Sequence, residues 1–458
     1  MAEDGRAVAA TVRPDPDVPA FVHGIAYEAL PSDVVASAQR CLLDLIGVAG
    51  AGSRTPASAV INAYASTQMA GRGREARLLF DGKRASLAGA AFAGAATIDA
   101  LDGHDGHVLT KGHAGVAVLP ALLAFVDGGA PCTGTEFITC LVLGYEVATR
   151  AGIALHASVA DYHCSGAWNA LACAALGGRL LPLTEAQLRH ALGIAEYWGP
   201  RGQILRVCSY PTMVKDGSSW GAHAGVTAAL LAREGFTGAP ALTVEREDAR
   251  IFWGDLGTRW RIREQYFKAH PVCRWAHPAI EAALALQRAH GFAADEVAGI
   301  GIESFREAID LGSQCLDPTT TDEAQYSLTF PVAAALVFGK LGADEVNAAE
   351  QRDPRIARLL GRVTLTEDPE FSRRFPAERW ARVRIVLRDG RTIISEPARA
   401  RGNPENPLSD RELRTKYRQL AEPVLGTQRA ARIEALADAL VSDAQALPAL
   451  IEELLRPA

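Results

Sequence analysis

Residues 101–129 read LDGHDGHVLTKGHAGVAVLPALLAFVDGG, a loop crowded with histidine and aspartate that leads directly into an apolar segment. No charged residue lies between Gly115 and Val126, so every face of a helix formed there would be apolar. A helix that is apolar on most faces packs against several neighbours inside a domain. The stretch therefore predicts a buried helix with titratable side chains at its N-terminal end.

The same kind of segment recurs on both sides of this stretch, up to about residue 262. Ser32 is a candidate N-cap for SDVVASAQRCLLDLIGVAGAG, which has apolar residues at helical spacing and ends in glycine. Further apolar helical segments rich in Ala and Gly begin near residues 85, 134, 166, 184 and 218. Because small residues let helices approach closely, this part predicts a large, tight helical bundle.

The sequence changes character after about residue 262. EVAGIGIESF (residues 296–305) and RWARVRIVLRDGRTIISEP (residues 379–397) are typical of strands, and the second contains an Asp389-Gly390 hairpin signal. Helical segments lie between them, including one over residues 347–361, and helices resume from about residue 409. We therefore predict a mainly α protein with a smaller α+β domain. Residues 1–262 and 405–458 form the large all-α domain, and residues 263–404 form the inserted α+β domain.

Bulk composition excludes several classes of protein. The chain has 458 residues, 48% hydrophobic and 22% charged, with a formal charge of −6 and no basic block, so neither nucleic acid nor a disordered chain is indicated. Eight singly scattered cysteines without a CxxC pair argue against disulfides and a thiolate zinc site. Residues 1–21 lack the pattern of a signal peptide. The sequence contains no uncharged apolar run long enough to predict a membrane span. The cytoplasm is the expected location.

Three interpretations of the loop are open on its residues alone. Its titratable side chains could ligate a transition metal or could form an acid/base site in a cleft. They could also belong to a polar loop between two helices that has no chemical role. The candidates are Asp102, His104, Asp105, His107 and His113. Their spacing matches no specific metal signature, and neither a nucleophile elbow nor a nucleotide-binding glycine loop occurs elsewhere.

Three later stretches carry further candidates. His163 precedes a small-residue helix in ADYHCSGAWNA, and Lys215 precedes another in YPTMVKDGSSWGAHAG. A row of cationic residues precedes a third helix, in YFKAHPVCRWAHPAIEAA. This row comprises Lys268, His270, Arg274 and His277, with Cys273 among them. Positive charge at a helix N-terminus is unfavourable unless an anion binds there, so this stretch predicts an anion site.

Taken in order, these motifs resemble the MmgE/PrpD family, which includes 2-methylcitrate dehydratase, cis-aconitate decarboxylase and iminodisuccinate epimerase. The family patterns DFDDTH and VLPALLA correspond to LDGHDGH and VLPALLA here, and GYEVATR matches a family helix that carries Tyr145 and Arg150. The family histidine before a small-residue helix matches His163, the lysine before a stretch ending in GFTG matches Lys215, and KxYPxCRxxHxxIDA matches KAHPVCRWAHPAIEA. The resemblance covers about residues 20–450.

The resemblance implies that the α+β domain is a lid, that the active site lies between the two domains, and that the protein is a homodimer without a metal or organic cofactor. This sequence departs from the family in the loop. Gly103, His104 and Gly106 interrupt the acidic run, one extra residue precedes His113, and no proline follows it.

We expect a lyase, in the first place a dehydratase, acting on a small di- or tricarboxylate by proton transfer at the carbon next to a carboxylate. The alternatives are an iminodisuccinate-like epimerase and a non-catalytic carboxylate-binding relative. The expected catalytic residues are His113, His163, Asp102, Asp105 and Lys215. The expected substrate-binding residues are Lys268, Arg274, His277, Tyr145, Arg150, His104, His107 and Cys273.

Overall fold

The structure is a computed structural model that describes residues 17–458. The absence of a signal peptide was predicted from residues 1–21. Residues 1–16 of that segment lie outside the described range. The fold is mainly α with a smaller α+β domain, as the sequence predicts.

Eleven helices precede residue 262 in the described part of the chain. They are α1 Val18–Gly24, α2 Ser32–Gly52, α3 Pro56–Gln68, α4 Leu87–Asp99, α5 Gly115–Asp127, α6 Gly134–Ser158, α7 Gly166–Leu180, α8 Glu185–Trp198, α9 Ile204–Ser209, α10 Ser218–Arg233 and α11 Leu242–Glu245. Side-chain caps fix several starts: Thr133 accepts the backbone N–H of Glu136, and Thr184 forms a capping box with Gln187. The predicted Ser32 cap is wrong by one position, because Pro31 is the N-cap and its side chain makes no capping bond.

The small residues of these helices are needed for their packing. Gly225 of α10 faces α7 so closely that a Cβ there would lie 2.2 Å from the carbonyl oxygen of Ala170. Any larger residue would push the two helices apart. Helices α4, α5, α7 and α10 bury alanine and glycine on almost every face, which confirms the predicted tight bundle.

Short strands also occur in this helical part, although the sequence predicted strands only after residue 262. Strands β1 (Glu75–Arg77) and β2 (Arg84–Ser86) form a hairpin. Strand β3 (Gly106–His107) pairs with β4 (Gln265–Tyr266), so Gly106 lies opposite Tyr266. Segments of two or three residues are too short to show alternation, which is why the pattern missed them. The β3–β4 pair brings the histidine loop beside the later cationic stretch.

The α+β domain is built on one mixed sheet. Its strands are β5 Val297–Ser304, β6 Val363–Glu367, β7 Trp380–Leu387, β8 Thr392–Ile394 and β9 Ala398–Arg399. Their order is β6-β5-β7-β8, β9 also pairs with β7, and only the β5–β6 pair is parallel. Both predicted strand regions are confirmed, with the hairpin at Asp389-Gly390, where Gly390 has a φ of +89°. Strand β6 was not predicted.

Seven helices pack around this sheet. They are α12 His277–His290, α13 Arg306–Gln314, α14 Thr321–Gln325, α15 Thr329–Phe338, α16 Ala343–Gln351, α17 Pro354–Leu360 and α18 Pro369–Arg374. The single helix predicted over residues 347–361 is wrong. It is divided between α16 and α17, because Arg352 is left-handed and Asp353 caps a new helix that begins at Pro354.

The chain then forms α19 Asp410–Leu425, α20 Thr427–Ala439 and α21 Ala446–Leu455. Helix α19 lies on α2: the ammonium of Lys416 binds Oδ1 of Asp44 and the carbonyl oxygen of Gly103, both at 2.6 Å. The buried apolar residues form two main clusters. One contains residues from both chain ends, and the other lies between residues 272 and 393.

Helices α2 and α6 have the length and hydropathy of membrane spans. Both are largely covered by other parts of the chain, so they are core helices of the folded domain.

Candidate active site

A cavity of about 150 Å³ lies where the two cores meet. Its walls come from the 99–113 region, α9, the 266–275 segment and the α+β domain. The lining residues are Asp99, Asp102, Lys111, His113, Tyr162, Ile204, Leu205, Cys208, Asp216, Tyr266, Lys268, Cys273, Arg274, Trp275, Glu307, Tyr326, Phe375 and Arg379. The cavity therefore combines cations and carboxylates with apolar and aromatic side chains.

His113 is held at the cavity wall as a neutral imidazole. Its Nδ1 lies 2.5 Å from the carbonyl oxygen of Asp105, which can only accept, so Nδ1 carries the proton and Nε2 keeps its lone pair. Burial, His104 and Lys268 lower the pKa of His113 well below its ordinary value. The nearest carboxylate oxygen to Nε2, in Asp102, is 3.9 Å away, so Nε2 is available to take a proton.

The backbone around His113 is fixed as firmly as its ring. Its N–H donates to Oγ of Ser165 at 2.9 Å, and its carbonyl oxygen accepts from Asn169 at 3.0 Å. Gly106 is packed against the ring, since a Cβ there would lie 2.7 Å from Nδ1 of His113 and 2.6 Å from the hydroxyl of Tyr266. The loop is thus preorganised around one imidazole.

Lys268 and Asp102 form a buried ion pair beside His113. The Lys268 ammonium also donates to the carbonyl oxygen of Asp102 at 3.1 Å. Burial alone would raise the pKa of Asp102, but Lys268, His113 and His104 together lower it well below its ordinary value. Burial opposes the charge on Lys268, yet the Asp102 carboxylate outweighs it and raises the pKa of Lys268. Both groups are therefore ionised at neutral pH.

Asp216 lies in the same cavity, and its surroundings shift its pKa in the opposite direction to that of Asp102. Burial and the Asp99 carboxylate raise the pKa of Asp216 well above its ordinary value. Its carboxyl group is hydrogen-bonded to the hydroxyl and backbone N–H of Ser165. The site thus contains a neutral histidine and a carboxylic acid whose environments move their pKa values in opposite directions, which is the usual signature of an acid and a base.

Asp105 and His104 lie behind this wall. Burial and the Asp44 carboxylate raise the pKa of Asp105 to about 7, and only its backbone carbonyl contacts His113 directly. His104 is fully buried, with Nε2 3.3 Å from Asp99 and its ring centroid 4.3 Å from that of His113. Both residues support the His113 ring from outside the cavity lining.

Arg274 and Cys273 are the other predicted residues in the lining. Arg274 donates to Oδ1 of Asn403 at 2.6 Å and lies 4.8 Å from the ring of Tyr266; burial lowers its pKa to about 10, so it stays charged. Burial and the Asp102 carboxylate raise the pKa of the Cys273 thiol to about 12, so it is not a thiolate. His277 lies behind Arg274, with Nδ1 3.4 Å from its guanidinium.

Besides Asp105, His104 and His277, five more predicted residues lie outside the cavity lining. His107 pairs with Glu264 at 3.0 Å; Tyr145 is fully buried in the helical core. Arg150 is buried against Glu146 and Asp255 and donates to the carbonyl oxygens of Phe252 and Arg259. Nδ1 of His163 lies 3.2 Å from the carbonyl oxygen of Arg201. Lys215 joins the two domains through Asp322 at 2.6 Å, and its ammonium lies 5.3 Å from the ring of Tyr326.

Sequence reasoning missed several residues of the lining. Tyr266 and Asp216 stand beside predicted residues and could have been found by extending those motifs. Tyr326, Phe375 and Arg379 come from segments without a recognisable motif, and only the fold brings them to the cavity. Among residues 17–458, no group of three His, Cys, Asp or Glu side chains is arranged to hold a metal ion.

Comparison with known proteins bears directly on this arrangement. The model of the MmgE/PrpD N-terminal domain matches residues 17–251, and that of the MmgE/PrpD C-terminal domain matches residues 270–441. The chain belongs to the MmgE/PrpD family. The C-terminal match extends beyond the sheet into α19 and α20, which pack in the helical core here.

The chain is similar over most of its length to cis-aconitate decarboxylases. It is 26% identical to a cis-aconitate decarboxylase-like protein of Aspergillus oryzae, covering 88% of this chain and 90% of that protein. It is 25% identical to cis-aconitate decarboxylase of Aspergillus terreus, with 91% of each chain covered. It is 28% identical to 2-methylcitrate dehydratase of Cupriavidus necator over 49% of this chain and 50% of that protein. These family members are lyases.

Proposed function

We propose that this chain is a lyase acting on a small di- or tricarboxylate, with dehydration as the reaction that its site supports best. The observation that carries the proposal is the placement of His113, Asp216 and the Lys268–Asp102 ion pair in the lining of one cavity, where the surroundings lower the pKa of His113 and raise that of Asp216. Elimination of water needs a base for the C–H proton and an acid for the departing hydroxyl. The relatives support a lyase without fixing the substrate.

The proposed reaction begins at Nε2 of His113, which takes the proton from the carbon next to a substrate carboxylate. The C–H electron pair moves into that carboxylate as an enolate. It then forms a C=C bond as the neighbouring C–O bond breaks, and the hydroxide leaves as water with the proton of Asp216. Solvent afterwards restores the proton to Asp216 and removes it from His113.

The enolate of a carboxylate carries two negative charges, so its stabilisation is the main task of the site. Lys268 is the buried cation beside His113, and a buried charge interacts more strongly than an exposed one; Arg274 is a second buried cation that can hold another carboxylate of the substrate. Asp102 keeps Lys268 charged despite its burial. Asp105 positions His113 through its carbonyl oxygen. Catalytic roles for His163 and Lys215 stay predictions.

Decarboxylation is the second candidate. It is favoured by the comparisons, because the cis-aconitate decarboxylases match this chain almost end to end whereas the dehydratase of Cupriavidus necator matches about half. The same cations would stabilise the carbanion left after loss of CO₂, and an acid in the cavity would then protonate it. The Asp216 carboxylic acid is suited to that step as well.

We also propose that the enzyme works without metal or organic cofactor, in the cytoplasm, as a homodimer. The dimer surface would be the exposed apolar side chains of the α8–α10 region, which include Tyr197, Tyr210, Met213, Val214 and Trp220. Contiguous exposed apolar patches mark interaction surfaces, and we propose that these side chains form one. Light scattering should give twice the monomer mass, and Val214→Asp should reduce it to the monomer mass.

NMR spectroscopy in D₂O tests the reaction class. The purified protein is incubated separately with citrate, 2-methylcitrate, cis-aconitate and iminodisuccinate. Loss of water from a hydroxy acid supports the dehydratase, and CO₂ release supports the decarboxylase. Deuterium incorporation without loss of a group would mean an epimerase, and absence of every change would leave only carboxylate binding.

Variants identify the base in the same assay. His113→Asn should lower kcat by about 100- to 10,000-fold, the range for a lost acid/base group. His107→Asn is the matched control, because His107 is buried in the same loop but lies outside the lining. Equal kcat values for the two variants would refute the role of His113.

A further inference from the structure

Two arginines in the cavity wall have no carboxylate partner. Arg274 and Arg379 both line the cavity, and neither makes an ion pair with a carboxylate within residues 17–458. Nε of Arg379 is buried and has no hydrogen-bond partner among the described residues. Arg274 donates to the amide oxygen of Asn403, and Arg379 is half-buried with its Nε unpartnered, so neither guanidinium has its charge balanced by a carboxylate and both are suited to receive an anion.

The cationic side chains of the cavity differ in whether a carboxylate pairs with them. The ammonium of Lys268 is already paired with the carboxylate of Asp102, beside His113. Glu307 also lines the cavity, but no ion pair joins it to either arginine in the described part of the chain. Lys111 is a further cation of the lining and lies 3.8 Å from the centroid of the Tyr162 ring, so Arg274 and Arg379 are the two guanidinium groups of this lining that no carboxylate pairs among the described residues.

An apolar wall adjoins the arginines. Trp275 and Phe375 are edge to face at 5.7 Å, and Phe375 stacks on Phe305 at 4.9 Å, so this wall is rigid. Leu205 of α9 also lines the cavity and is 50% exposed. Covering these half-exposed side chains with an apolar group would be favourable, whereas a carboxylate placed there would lose its hydration without a partner.

We propose that this site selects a substrate with an unreactive carboxylate held by Arg274 and Arg379 and a short alkyl substituent held against Leu205, Trp275 and Phe375. The inference rests on the proposed function, because it takes the reacting end to lie at His113 and Lys268. It adds Arg379 to the residues that determine specificity. It also favours an alkyl-substituted dicarboxylate over a tricarboxylate without an apolar group.

Isothermal titration calorimetry with unreactive ligands tests this specificity apart from turnover. Succinate, methylsuccinate and propylsuccinate differ only in the alkyl group, and tricarballylate carries a third carboxylate instead. Each added methylene should lower Kd about fourfold, as expected for burial of one CH₂ group. Tricarballylate should bind more weakly than propylsuccinate. Tighter binding of tricarballylate, or no binding by any of the four, would overturn the proposal.

Variants separate the two parts of the subsite. Arg379→Gln should raise Kd for every dicarboxylate by about 10- to 100-fold, the range for one charge-assisted hydrogen bond. Arg379→Lys keeps the positive charge but not the paired N–H donors of the guanidinium, so it should raise Kd less than Arg379→Gln does. Leu205→Asn should abolish only the advantage of the propyl group. Arg384→Gln and Leu242→Asn are matched controls, since Arg384 and Leu242 are exposed and outside this lining.

The outcomes of this titration and of the NMR assay are independent. Tight propylsuccinate binding without turnover of any acid would refute the lyase but leave the subsite standing. Turnover combined with identical ligand affinities for Arg379→Gln and Arg384→Gln would refute the subsite but leave the lyase standing.

Discussion

The pH dependence of activity tests whether His113 is the base. A base must be neutral to accept a proton, so activity falls as pH decreases through its pKa. Because burial and neighbouring cationic groups lower the pKa of His113 well below its ordinary value, the acidic limb of kcat/KM should lie well below pH 6.5. Protonation of His113 should therefore not yet reduce activity at pH 6.5.

Substitution of His104 should change the pH at which kcat/KM falls on the acidic side. After burial, His104 is the largest influence that lowers the pKa of His113, and the two ring centroids are 4.3 Å apart. With an effective dielectric constant of about 20, two unit charges at that distance repel by about 4 kcal/mol, equivalent to about three pH units when both rings are charged. His104→Asn should raise the acidic limb, because it removes the largest electrostatic influence that lowers the pKa of His113, and the rise should not exceed about three pH units.

The assay is the pH profile of kcat/KM for the wild-type enzyme, His104→Asn and His107→Asn. His107 is the control, because it is buried in the same loop but pairs with Glu264 outside the cavity. Equal acidic limbs for the two variants, or a wild-type limb at or above pH 6.5, would refute the assignment of His113 as the base.

Three further predictions follow from the same contacts. Lys268→Met or Arg274→Met should lower kcat/KM by about 10- to 1000-fold, as expected for one lost charge-assisted hydrogen bond; kinetics like those of Arg384→Met would contradict this. Arg150→Met should lower the free energy of unfolding, measured by urea titration, by about 3 to 5 kcal/mol, because Glu146 would remain buried without its ion-pair partner. An unchanged midpoint of the urea unfolding curve would refute a structural role for Arg150. Dialysis against a chelator should leave kcat unchanged, and a loss restored by one divalent ion would show a required metal.

The sequence predicted those features of this protein that depend on local pattern. Helices such as α5 and α6 were recognisable because apolar residues cover them over many turns. Strand β7 and its Asp389-Gly390 hairpin were recognisable from β-branched residues followed by a turn signal. Strand β6 alternates between half-buried and exposed residues, but it is only five residues long and follows directly on the helical pattern of α17, so it was missed.

The candidate site was predictable only where its residues stand in motifs. The loop gave Asp102 and His113, and the cationic stretch gave Lys268 and Arg274, all of which line the cavity. The same motifs also contributed His107, which the β3–β4 pair turns toward Glu264 instead. A motif shows which chemistry is present but not the direction of each side chain.

Only the tertiary structure decided which groups meet in the cavity and how burial and pairing shift their pKa values. Asp102 and Lys268 are 166 residues apart in the chain, and their ion pair keeps both charged despite burial. Arg379 has no sequence signal, and it reaches the cavity because the segment before β7 lies over Cys273 and Tyr266. A pKa and a binding preference depend on burial and on charges a few ångströms away, and those distances are set by contacts between segments that are far apart in sequence.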